Sequence, residues 1–139
     1  MSSPVRITFL GGLGEIGRNC LALEQDGEVL VVDAGVTFDA RGYGLDVVHP
    51  DFSCLDRYEG RIRGLVLTHG HEDHVGAVPY FLERFDVPVL GPAYALELLR
   101  SRRREHAILA AGVVRQRQRW RDAHRHRREE VRHHLTDRL

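Results

Sequence analysis

A chain of 139 residues is long enough for one small domain with a hydrophobic core, and an apolar share of 42% is ordinary for a globular protein. The zero formal net charge hides a split, because residues 1–99 hold 7 Arg against 15 Asp and Glu while residues 100–139 hold 13 Arg against 5 acids. No apolar run approaches the ~20 residues that span a bilayer, and Met1-Ser2-Ser3-Pro4-Val5-Arg6 lacks the layout of a signal peptide, so a cytoplasmic protein with no membrane partner is expected.

In chain order, Val5–Leu10 alternates in character and meets Gly11-Gly12, which predicts a strand ending in a glycine-rich loop that runs to Gly17. Cys20–Glu24 is a second strand, Asp26-Gly27 a hairpin turn, and Glu28–Asp33 a third strand, apolar on both faces and expected to be buried. The start of the chain is therefore an antiparallel meander. Residues 35–60 read as a long irregular loop of the kind that serves function or packs on a neighbour. Ile62–Thr68 is a fourth strand. Val75, Val78, Phe81, Leu82 and Phe85 then recur at helical spacing, Val87–Leu90 is a short strand, and a second helix begins near Ala93. Strand, loop, helix, strand and helix in this order place the fold in the α/β class.

Cys20 and Cys54 form neither a disulfide framework nor a zinc pair, and both are expected as small buried apolar residues. After about His106 the chain changes character. Residues 107–139 are expected to form an Arg- and His-rich, poorly ordered tail, with the look of a truncated or out-of-frame end or of an exposed basic arm.

Between the fourth strand and the first helix stand His69, His71, Asp73 and His74, three imidazoles and one carboxylate within six residues. These are the ordinary ligands of a hydrolytic Zn²⁺, and two adjacent ions need ligands pointing two ways from one short segment. His69 and His71, two apart in extended backbone, project to one side. Asp73 and His74 lie where the chain turns into the helix and suit a second ion. Asp73 is also the candidate catalytic residue, as a group able to ligate and to orient an attacking hydroxide.

Thr68-His69-Gly70-His71-Glu72-Asp73-His74 resembles the signature of metallo-β-lactamase-fold hydrolases. The segments 10–19, 32–35, 44–52 and 76–80 narrow the resemblance to ribonuclease J, over about residues 5 to 106. That resemblance implies an αββα sandwich of which this chain encodes the N-terminal half, with residues 1–106 in the metallo-β-lactamase domain. It also implies two Zn²⁺ ions and cleavage of RNA phosphodiester bonds by 5′-to-3′ exonuclease and endonuclease action. Asp33 is implied as a buried carboxylate that orients the metal loop, although a strand-ending cap is an equal reading, and Thr68, which closes the strand before the motif, is placed beside the ligands with it. Asp46 and Asp51 are implied as pins for the long loop, with turn residues the plainer reading. RNA is the expected partner, and a homo-oligomer through regions absent from this chain is a further expectation. His133 and His134 sit in a context unlike the family's later ligand motif, so the site is expected to be incomplete and the isolated chain a poor nuclease. Two other readings stay open: a hydrolase of the same fold acting on a thioester or lactone, and a non-catalytic module that binds nucleic acid through its basic tail.

Overall fold

The computed structural model describes residues 3–38 and 47–105. Asp46 and the whole of the 107–139 tail lie outside them. Strands β1 (Arg6–Gly11), β2 (Cys20–Gln25), β3 (Glu28–Val32), β4 (Ile62–Val66) and β5 (Val89–Leu90) form one sheet in the order β1-β2-β3-β4-β5. The first three are antiparallel, as the hairpin signals require, whereas β4 is parallel to β3 and β5 to β4. Asp26 and Gly27 both take positive φ (54° and 78°), the backbone of a two-residue hairpin turn that follows the strand twist.

Alternation along the strands sorts the sheet into two unlike faces. Ala22, Val31, Leu65 and Val89 lie in one register line and are buried. Their core is completed by Val75, Val78, Phe81 and Phe85 from the helices α1 (Glu72–Val75) and α2 (Val78–Arg84) and the turn after them. Ala95, Leu96 and Leu99 of α3 (Ala93–Glu105) join the same core. The other face is equally apolar but open. Phe9, Leu21, Val32, Val66 and Leu90 form one register line and Ile7, Leu23 and Leu30 another. Ile7 is 56% and Phe9 54% exposed, and the rest are half-buried. The third strand is thus buried on one face only, which corrects the expectation that both would be covered. A second sheet is absent among the described residues.

The long loop is more ordered than its sequence suggests. Thr37 and Val48 exchange two backbone hydrogen bonds (2.9 and 2.8 Å) that close its neck. Ser53–Tyr58 forms a 3-10 helix that sends Phe52, Leu55 and Tyr58 into the core at three-residue intervals. Asp51 opens that helix, its two carboxylate oxygens accepting the Ser53 N–H (2.8 Å) and hydroxyl (2.9 Å). These bonds hold its carboxyl below the usual carboxylate pKa, and they are what a turn residue makes. Of the two cysteines Cys20 is buried, but Cys54 is exposed, contrary to expectation, because it faces outward between buried Phe52 and Leu55.

Candidate metal centre

The metal loop follows β4, and its seat is built by β3. A one-turn helix such as α1 is too short to stand alone, and apart from Glu72 O, which accepts the Gly76 N–H (2.8 Å), its carbonyls have no partners within the helix. The chain leaving β3 and the residue just before β2 supply further partners. Val36 N–H donates to Glu72 O (3.1 Å), Ala34 N–H to His74 O (2.8 Å), and Asn19 N–H to Asp73 O (3.0 Å). Gly35 lies between these bonds, and a Cβ there would stand 1.6 Å from the Asp73 carbonyl oxygen. Only glycine permits an approach this close.

Asp33 is the one buried charged residue among the described residues, 5% exposed and with φ +60° at the end of β3. Its Oδ1 accepts the Thr68 N–H (2.8 Å), and its Oδ2 accepts the Thr68 hydroxyl (2.8 Å) and His74 Nδ1–H (2.8 Å). A carboxylate can only accept, so the Nδ1 of His74 carries a proton, and Nε2 is the nitrogen whose lone pair can serve a metal. The Thr68 hydroxyl spends its hydrogen on Asp33. At 3.0 Å from His69 Nδ1 it can therefore only accept, which fixes the same tautomer on His69. One buried carboxylate thus turns two imidazoles into Nε2 donors.

The structure brings the three histidines of the motif together and sets Asp73 beside His74. The ring centroid of His69 lies 4.5 Å from that of His71 and 4.0 Å from that of His74. Asp73 Oδ2 stands 3.5 Å from His74 Nε2. Two zinc ligands at ~2.0–2.1 Å and a tetrahedral angle stand ~3.3 Å apart, so Asp73 and His74 are spaced as one bite. The donor set fits a divalent ion in chemistry and in this spacing. Even so, among the described residues no group of three or more His, Cys, Asp or Glu side chains stands in an arrangement that could hold an ion as it is. His71 is exposed at the start of α1, and its ring packs edge-on against His69.

Asn19 joins this cluster, and sequence reading passed over it. Its Nδ2 donates to Asp73 O (3.0 Å) and Asp73 Oδ2 (3.1 Å) and lies 3.2 Å from His74 Nε2. It was visible only as the last residue of the glycine-rich loop, and nothing local names a partner 54 residues away. That loop also holds Glu15, which accepts the Gly12 N–H (3.2 Å) and pairs with Arg18. The arginine, with the Gly12 bond second, keeps the Glu15 carboxyl below its usual pKa.

The family profile described as the metallo-beta-lactamase superfamily matches residues 13–138. The chain belongs to that superfamily. Its α/β fold, with a mixed sheet and helices packed on it, is that of the superfamily. Within it, the chain is similar to ribonuclease J of Helicobacter pylori, 43% identical over 107 residues that make up 76% of this chain and 16% of that protein. Ribonuclease J of Synechocystis is 44% identical over 110 residues, 78% of this chain and 17% of the relative. The Corynebacterium glutamicum protein is 42% identical over 107 residues, 76% and 15%. The chain spans about a sixth of the length of these relatives. No helix among the described residues is long and apolar enough to cross a membrane.

Proposed function

We propose that this chain carries the first half of the metal centre of a zinc-dependent ribonuclease of the ribonuclease J type. The observation that supports it best is the cluster of His69, His71 and His74, two of them fixed as Nε2 donors, in a chain 42–44% identical to proteins of that name. His69 and His71 would hold one ion, and Asp73 with His74 the other. Bound Zn²⁺ would supply a water that ionises near neutral pH and positive charge beside a phosphate oxygen. The chain's own part is positional. Asp33 acts through Thr68 and His74 to hold both tautomers, and β3 fixes the height of α1, so that Asp73 faces the same space as His74 Nε2. RNA is the proposed substrate, cleaved by exonuclease and endonuclease action in the cytoplasm, with phosphate contacts drawn from outside the net-acidic residues 1–99. Residues 107–139 are proposed as a separate basic tail that adds no ligand.

The test is to titrate the purified chain with zinc and then to offer it a 5′-monophosphorylated RNA. The expected result is weak zinc binding that His71→Ala reduces at least tenfold, and only slow RNA cleavage, since four donors are few for two ions and a misplacement of ~1 Å costs ~100-fold in rate. Removing residues 107–139 should leave the zinc isotherm unchanged. A chain that binds no zinc, or that prefers a thioester or lactone to RNA, would sink the proposal.

A further inference from the structure

The side-chain amide of Asn19 has two hydrogens and faces three acceptors: the Asp73 carbonyl (3.0 Å), Asp73 Oδ2 (3.1 Å) and His74 Nε2 (3.2 Å). The two Asp73 oxygens only accept, which settles the orientation of the amide without appeal to its shape. Its carbonyl oxygen lies near Gly12, where an added Cβ would stand 2.5 Å from it. The Asn19 backbone is held as well, since its N–H donates to Asp73 O and its C=O accepts the Gly35 N–H (both 3.0 Å). With three acceptors the amide is one hydrogen short. Once an ion takes the Nε2 lone pair of His74, two acceptors remain for two hydrogens, and both belong to Asp73.

From this count, and resting on the zinc reading above, we infer that Asn19 is a positioning residue of the metal centre. It holds the Asp73 carboxylate in place for an ion and covers the His74 Nε2 lone pair until that ion arrives. It touches no reacting atom. Its effect runs through Asp73, whose carboxylate would otherwise swing about its exposed side-chain bonds and pay that freedom on binding. The glycine-rich loop thereby gains a role at the centre that its own composition does not declare.

The full 139-residue chain and its Asn19→Ala variant are titrated with Zn²⁺ and with Co²⁺, with thermal melting of the metal-free proteins alongside. The expected result is 10- to 100-fold weaker binding by the variant and a changed visible Co²⁺ absorption. A role confined to folding would shift the melting curve and leave the Co²⁺ spectrum alone. A second measurement needs no variant. The side-chain NH₂ resonances of Asn19 in the parent chain should exchange slowly with and without zinc, and should shift when zinc is added. Equal affinities and identical spectra for the two proteins, or fast-exchanging NH₂ resonances that zinc does not move, would overturn the inference while leaving the zinc reading intact. A parent chain that binds neither ion would overturn both.

Discussion

At the scale of single residues, Asp33 carries the largest consequence. Asparagine in its place keeps one acceptor oxygen and turns the other into an NH₂, so either the Thr68 N–H or the pair of Thr68 hydroxyl and His74 Nδ1–H is left facing a donor. A buried donor left unpaired costs ~1–3 kcal/mol, so Asp33→Asn should lower stability by about that amount in urea unfolding. The loss of the carboxylate charge should also loosen the hold on the His74 ring and weaken zinc binding at least tenfold in the same titration. The cysteines give a second test. Burial, with the Asp33 carboxylate adding to it, pushes the Cys20 thiol up to about 12. The folded chain therefore keeps that proton between pH 9 and 12 while the unfolded chain loses it. Stability from this group is intact below pH 9 and falls above it, by up to ~1.4 kcal/mol per pH unit, and Cys20→Ala should flatten that slope. At pH 8 a thiol reagent should modify Cys54 in the folded chain and reach Cys20 only after denaturation. The four proposed ligand residues stand out in the sequence because their chemistry is packed into six positions. Asn19 does not, because what it does depends on a contact made 54 residues further along.

At the scale of elements, the helix read as continuous from Val75 to Phe85 is in fact two. The Ala77 N–H, which would close the helix on Asp73 O, goes to Ala34 O (2.8 Å), and Asp73 O is taken by Asn19. Periodicity records which side chains are apolar, not which carbonyls a distant strand has claimed, so the break could not be seen in the pattern. The 3-10 helix was legible in principle. Phe52, Leu55 and Tyr58 recur every third residue after Asp51, whose side chain makes a turn onto Ser53 inside what reads as loop. The hairpin strands followed from alternation and Asp26-Gly27, whereas the parallel pairing of β4 with β3 is set by the crossover and left no local mark. Because the end of β3 and α1 meet through backbone bonds, Gly35→Ala should act on the element rather than on one contact. A methyl 1.6 Å from a carbonyl oxygen must drive the two apart, for a loss of about 3 kcal/mol or more in chemical denaturation, with zinc affinity falling too.

At the scale of the whole molecule, the described residues finish the sheet on one side and leave it bare on the other. Ile7 and Phe9 lie at the edge of the bare face, on β1, which among the described residues has a partner strand on one side only. An exposed apolar surface next to an open strand edge invites self-association. Sedimentation of the purified chain should show mass rising with concentration, and Phe9→Lys should reduce that rise without lowering the unfolding midpoint. Contact between oily surfaces has a thermal signature of its own, since it weakens in the cold and strengthens on heating. Solutions of this chain should therefore turn cloudy on warming below the melting point and clear again on ice, a reversible clouding that thermal unfolding would not produce.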